Sequence, residues 1–231
     1  MFPIGDDNRG RHGVCWVSWL LILANVLVYV YQINLNDAQL HRFIRDFGMT
    51  PAMVARGDDV YTLFSSMFVH GGFAHIAGNM LFLWIFGDNI EQRFGHVPFL
   101  LFYLGSGLVA SVAHLWANSG ATVPMVGASG AISGVMGAYV LFYPLNRVRV
   151  LMWYGVVRVP AFIFLGIWFL TQFANGMMTL SVQTAQSSGV AFWAHIGGFV
   201  AGLAAALVLG VIFPEPIANE PQFAIWQNRD E

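Results

Sequence analysis

The chain has 231 residues, of which 57% are hydrophobic and 10% charged, with 20 Phe, 8 Trp and a mean hydropathy of +0.63. A soluble globular domain carries roughly a quarter of its residues as charges, so this composition excludes one and implies a membrane protein. The formal net charge of −2 comes without a basic stripe for nucleic acid, and the single cysteine, Cys15, excludes an intrachain disulfide framework or a cysteine-based metal site.

Residues 1–14 hold Arg9 and Arg11 and precede an apolar run from Cys15 to Ile33. The run is long enough to span a bilayer, and no small-residue cleavage pattern follows it. It is expected to be a first transmembrane helix rather than a cleaved signal. Residues 34–72 form a long mixed loop, expected to carry interfacial helices. Five further spans follow, at Phe73–Ile90, Pro98–Ala117, Ala128–Tyr143, Pro160–Leu180 and Val190–Phe213. Residues 214–231 form a tail containing Pro and acidic residues, expected to be poorly ordered. The expected fold is therefore an all-α polytopic membrane protein. A six-span domain at 15–213 lies between a segment at 1–14 and a tail at 214–231. No internal repeat is evident, which weighs against the common transporter architectures.

The short loops set the orientation. Arg147, Arg149 and Arg158 follow the fourth span, and Arg9, Arg11 and Arg93 fall on the same side. The loops at 118–127 and 181–189 hold no basic residue. By the positive-inside rule both termini are expected in the cytoplasm. The Arg residues of the long first loop run against this, but long loops count for little.

With that orientation the second, fourth and sixth spans all run from outside to inside. From Ser129 to Tyr143 is about 21 Å at 1.5 Å per residue, against a hydrocarbon core about 30 Å thick. Ser129 thus starts its helix below the outer surface. The same count places His75 and His195 at similar depth, each near the start of its helix. Asn79 lies one turn after His75 on the same face. Taken alone, His75 and Asn79 read first as hydrogen-bonding glue between helices. The same bland reading is kept for His114. Ser106, Ser111 and Ser133 are expected to bond their own backbone.

Gly130, Gly134 and Gly137 in the fourth span, and Gly198 and Gly202 in the sixth, are expected to let two helix backbones approach closely. Ordinary packing accounts for the glycines. It does not account for a Ser at the top of one face and a His at the top of the other. A serine hydroxyl needs a base to take its proton, and His195 is the only histidine in the last three spans. The Ser129 N–H at a helix start and the side chains of His75 and Asn79 supply donors for an oxyanion. No Asp or Glu lies between Glu91 and Glu215, so no carboxylate from the last four spans is available to orient the base. These residues point to acyl-transfer chemistry by a Ser-His pair inside the bilayer.

The chain resembles the rhomboid family of intramembrane serine proteases. The matching segments are Phe47-Gly48-Met49-Thr50-Pro51, the run from His70 to Asn79, Glu91-Gln92-Arg93-Phe94-Gly95, Gly127-Ala128-Ser129-Gly130, and Ala194-His195-Ile196-Gly197-Gly198 with Gly202. The resemblance implies a six-helix bundle whose site opens outward through a water-filled cavity. It implies Ser129 as nucleophile and His195 as base, with His75, Asn79 and the Ser129 N–H as the oxyanion hole. It carries over Glu91 and Arg93 as loop-anchoring residues. The implied partners are single-span or polytopic membrane protein substrates and the lipid bilayer itself. No cofactor, metal or nucleic acid is implied, and a bacterial inner membrane is the expected location.

Two positions depart from the family pattern. Tyr61-Thr62 stands where many members have Trp-Arg in the first loop. Ser133 stands where some members stack a Tyr on the catalytic His, which leaves the His195 ring to be held by other packing, from Phe or Trp. Two rival functions compete. One is a proteolytically silent relative that binds membrane segments, although both Ser129 and His195 are present. The other is a small transporter using His75, His114 and His195 in a proton path, against which the lack of Asp and Glu in the last four spans weighs.

Overall fold

The computed structural model describes residues 2–7, 13–181 and 191–212. Expectations for Arg9 and Arg11, for most of the loop at 181–189 and for the tail at 214–231 concern residues outside these. Strand β1 (Phe2–Gly5) is followed by helix α1 (Trp16–Ile33) and three short helices, α2 (Asp37–Phe47), α3 (Pro51–Val54) and α4 (Thr62–Ser65). A 3-10 turn at Ser66–Phe68 leads to α5 (Phe73–Phe94), α6 (His96–Ala117) and α7 (Ser129–Phe142). Strands β2 (Arg147–Met152) and β3 (Gly155–Pro160), then α8 (Ala161–Ser181) and α9 (Phe192–Ile212), complete the order.

Helices α1, α6, α8 and α9 are long and apolar enough to cross a membrane. The segment Thr62–Phe68 with α5 counts as a fifth span if the pair, bent by 94°, is taken as one. Helix α7 is apolar but has only 14 residues. Its residues from Gly130 to Tyr139 are all buried. A helix shorter than the bilayer is tolerable there because most of its length faces protein rather than lipid. With α7 the bundle has six longer helices among the described residues, the architecture anticipated from the sequence.

The first loop does carry helices. Helix α2 begins with a capping box, in which the Asn36 side chain accepts from the Gln39 N–H and the Gln39 side chain accepts from the Asn36 N–H. None of its residues is buried, so it lies on the outside of the bundle. The Tyr61 hydroxyl donates to the Asp46 carbonyl at 2.7 Å, and the Thr62 hydroxyl to the Asp59 carbonyl at 2.6 Å. The Tyr61-Thr62 pair thus braces the loop against itself. Ser111 departs from its expected behaviour. Its hydroxyl donates to the Leu63 carbonyl at 3.2 Å, tying α6 to the loop, whereas Ser133 bonds the Ser129 carbonyl one turn back at 2.6 Å.

A small antiparallel sheet, ordered β1-β2-β3, was not anticipated. The Arg-bearing segment after α7 folds as a β2–β3 hairpin with Arg149 opposite Arg158, and β1 adds to its free edge. Alternation in Arg-Val-Arg-Val buries Val148 and Val150 on one face and leaves Arg147 and Arg149 exposed. Asp6, just after β1, accepts from the Tyr139 hydroxyl at 2.6 Å and from the Asn89 amide at 3.2 Å. These bonds tie the N-terminal strand to α7 and α5.

Candidate active site

Ser129 is the first residue of α7, and the approach to it is fixed by the first loop. Met49 and Met125 exchange a pair of backbone hydrogen bonds at 2.9 and 2.8 Å. The Gly127 N–H donates to the Ser66 carbonyl at 2.8 Å. Gly127 has φ 120°, a conformation that side-chain-bearing residues rarely adopt. Being at the first helical position, the Ser129 N–H has no acceptor within its own helix.

His195 is the fourth residue of α9. Its Nε2 lies 2.7 Å from the Ser129 hydroxyl oxygen. Its Nδ1 lies 2.8 Å from Oε1 of Gln172 on α8. The indole of Trp168, one turn before Gln172, lies beside the imidazole with ring centroids 5.7 Å apart and planes at 39°. Gln172 and Trp168 were not singled out in the sequence. A Gln in the middle of an apolar span was the available signal, since polar groups at that depth are costly unless partnered.

The glycines explain how α7 and α9 come so close. A Cβ on Gly198 would fall on the carbonyl oxygen of Gly130, and one on Gly202 on that of Gly134. A Cβ on Gly134 would lie 3.2 Å from the Gly198 carbonyl oxygen, and one on Gly130 2.6 Å from the Cβ of Ala110. Backbone therefore meets backbone along this face. The rings of Trp168 and Phe169 on α8 both pack, tilted, against Phe199 of α9.

His75 and Asn79, on the first two turns of α5, both border Gly127. A Cβ at Gly127 would lie 2.7 Å from His75 Nε2 and 3.5 Å from Asn79 Nδ2. The Gly71 N–H approaches His75 Nδ1 at 3.4 Å, which leaves Nε2 to carry the proton toward Gly127. Asn79 is held by a residue to which the sequence reading assigned no role. Its Nδ2 lies 3.0 Å from Nε2 of His70, a buried side chain 1% exposed. The backbone of His70 is in turn fixed at both polar atoms by Gln32 of α1, at 3.0 and 2.9 Å.

Between the loop and the helix ends lies a narrow cleft that includes Ser129 and has room for about one water molecule. Its walls include Met67, Met125 and Val126 from the loops, Ala110 and Ala194 from the helices, and Ala191 just before α9.

Glu91 and Arg93 both make contacts between helix ends. The Glu91 carboxylate, 1% exposed, accepts from the Val17 and Ser18 N–H groups at 2.8 and 2.7 Å. Helix α1 has no capping bond from the side chain of its own N-cap residue, Cys15. A carboxylate from α5 thus satisfies its free donors and complements its dipole. His96 Nδ1 lies 2.6 Å from the same carboxylate. The Arg93 guanidinium lies 3.9 Å over the Phe142 ring at the end of α7. Among the described residues no group of three His, Cys, Asp or Glu is placed to hold a metal ion.

The Rhomboid domain model matches residues 57–212. The chain is 30% identical over 203 residues to the Rhomboid protease GluP of Bacillus subtilis, an alignment covering 87% of this chain and 36% of that protein. It is 26% identical over 229 residues to the Rhomboid protease AarA of Providencia stuartii, covering 87% and 75%. It is 25% identical over 210 residues to Rhomboid-related protein 2 of Mus musculus, covering 89% and 68%. The alignment thus spans little more than a third of the Bacillus protein and about half the length of several plant relatives.

Proposed function

The chain belongs to the rhomboid family of multi-pass membrane proteins, which includes serine proteases, and we propose that it is an active member, an intramembrane serine endopeptidase. In this reading Ser129 and His195 form the catalytic dyad. The observation that carries it is the 2.7 Å contact between Ser129 Oγ and His195 Nε2, with the far ring nitrogen already engaged by Gln172. A neutral imidazole has one N–H. With Nδ1–H donating to the Gln172 carbonyl, Nε2 keeps its lone pair and accepts from the Ser129 hydroxyl.

The reaction then runs as acyl transfer. His195 Nε2 takes the Ser129 proton as Oγ attacks the scissile carbonyl carbon. The carbonyl oxygen becomes an oxyanion, stabilised by the Ser129 N–H, His75 Nε2–H and the second N–H of Asn79 Nδ2. His195 Nε2–H gives its proton to the departing amine, and the C–N bond breaks. Water then attacks the acyl-enzyme, with His195 again as base, and frees Ser129.

The substrates in this reading are transmembrane segments of other membrane proteins, single-span or polytopic, presented from the bilayer. A small residue before the cut bond is what the resemblance to the rhomboid family implies. The proposed topology keeps residues 1–14 and 214–231 in the cytoplasm, with the domain at 15–213 embedded in a bacterial inner membrane. Glycines at positions 130, 134, 198 and 202 serve to hold the two catalytic helices together.

A fluorophosphonate probe on purified, folded protein tests the assignment. Labelling of wild type that disappears in Ser129→Ala is expected. An unlabelled wild type that stays folded would favour a silent member that only binds membrane segments.

A further inference from the structure

We propose that Gln172 is a positioning residue that selects the reactive tautomer of His195, assisted by the indole of Trp168. The inference rests on the Ser129–His195 assignment above. With no Asp or Glu between Glu91 and Glu215, nothing in the last four spans offers a carboxylate to face the second ring nitrogen. The structure puts an amide oxygen there instead, with Gln172 Oε1 2.8 Å from His195 Nδ1.

The geometry discriminates between tautomers. If Nδ1 bears the proton, it donates to Oε1, and Nε2 accepts from Ser129 at 2.7 Å. If Nε2 bears the proton, a ring lone pair at Nδ1 faces a carbonyl lone pair at Oε1, and the base has no free electron pair toward Ser129. An acceptor fixed at Nδ1 therefore raises the population of the only tautomer that can deprotonate the serine. Once His195 holds the serine proton, both ring nitrogens are donors, and the same oxygen stabilises the second N–H. A neutral amide does this without placing a charge among apolar helices, where an ionised carboxylate is costly.

Ring orientation comes from the same helix. Ser133, on α7 one turn after Ser129, is small and bonds its own backbone. It offers no aromatic surface to the imidazole. Trp168, four residues before Gln172 and so on the same face of α8, supplies the flat surface, at a centroid separation of 5.7 Å. Base orientation is thus assigned to α8, while nucleophile and base sit on α7 and α9.

A purely structural role, in which Gln172 only joins α8 to α9, predicts a different outcome when the side chain is changed. The test compares Gln172→Met and Gln172→Glu with wild type. Each is measured for thermal stability, for rate of fluorophosphonate labelling, and for kcat and KM on a quenched fluorescent single-span substrate. Gln172→Met keeps the length and removes the acceptor. It is expected to lower kcat and the labelling rate together by roughly 10- to 100-fold, the range typical for losing a partner that orients a metal-bound histidine, with KM within about twofold. Gln172→Glu keeps an acceptor at the same reach and is expected to recover most of kcat. Wild-type kcat in Gln172→Met overturns the proposal, as do equal losses in the two variants, whatever their stability. A substrate cut equally by Ser129→Ala would overturn the protease reading itself. Cleavage that needs Ser129 but ignores Gln172 overturns only this inference.

Discussion

The hydroxyl of Ser129 and the imidazole of His195 meet at 2.7 Å although 66 positions separate them in the chain. Their helices are held so close that backbone oxygens of α7 occupy the space where Gly198 and Gly202 would otherwise carry side chains. The chemistry proposed for the pair and the packing that brings it together can be tested separately.

Ser129→Ala and His195→Ala should each abolish cleavage without unfolding the protein, because each removes one half of the acylation step. The double variant should be no slower than either single one, since the two residues act as a unit. Single-turnover assays on any cleaved membrane substrate read both effects. Undiminished activity in either single variant would sink the assignment.

His75→Ala and Asn79→Ala should lower kcat, each by about 10²–10³, while KM changes little, because an oxyanion donor acts on the transition state more than on the bound carbonyl. A large rise in KM at constant kcat would show that they only position substrate. Gly127→Ala should resemble these variants, since its Cβ would lie 2.7 Å from His75 Nε2 on a backbone with φ 120°.

Gly202→Val should lower stability by roughly 3 kcal/mol, the upper end of the overpacking range, because its branches would meet Gly134 backbone atoms that cannot rotate away. Activity should fall with it as Ser129 and His195 separate. Thermal unfolding in detergent together with turnover measures both. Wild-type values for the pair of readouts would mean that α7 and α9 tolerate a wider spacing.

Glu91→Ala should destabilise the bundle without entering the chemistry. It strips the acceptor from the Val17 and Ser18 N–H groups, at about 1–3 kcal/mol for each buried donor left unsatisfied. Glu91→Gln should lose less, since one oxygen acceptor remains. The expected signature is a lower Tm with kcat preserved in the folded fraction. A fall in kcat at unchanged Tm would place Glu91 in the catalytic pathway.

The substrate segment should be one that unwinds easily, because hydrolysis needs an extended peptide bond whereas a backbone in lipid stays helical. Replacing Gly or Pro by Leu in a cleaved span should slow the cut by strengthening that helix. Mass spectrometry of the products locates the cut, expected near the outer end of the span. Cleavage at the cytoplasmic end, or rates indifferent to every replacement, would contradict both the orientation and the unwinding argument.

The linear pattern alone determined the multi-pass membrane character and the largely helical fold, and it supplied the candidate reactive side chains. Apolar runs of bilayer length can only be buried in lipid or against each other. A Ser and a His at the starts of two glycine-lined spans mark themselves as candidates by their identity and position. Glycine faces were legible for the same reason, since small residues at helical spacing have few other uses in a membrane. What holds the site in place was decided by tertiary structure. Gln172 and Trp168 are ordinary residues of an apolar span until α8 lies beside α9 and turns both toward the His195 ring. His70 became a partner of Asn79 only once the loop before α5 was pinned by Gln32 of α1. Glu91 caps a helix more than 70 residues away, and β1 finds its partner strand beyond α7. Such contacts depend on hydrogen-bonding atoms that any fold could satisfy in several ways, so the sequence lists the donors and acceptors, and only the packing of the bundle chooses the pairs.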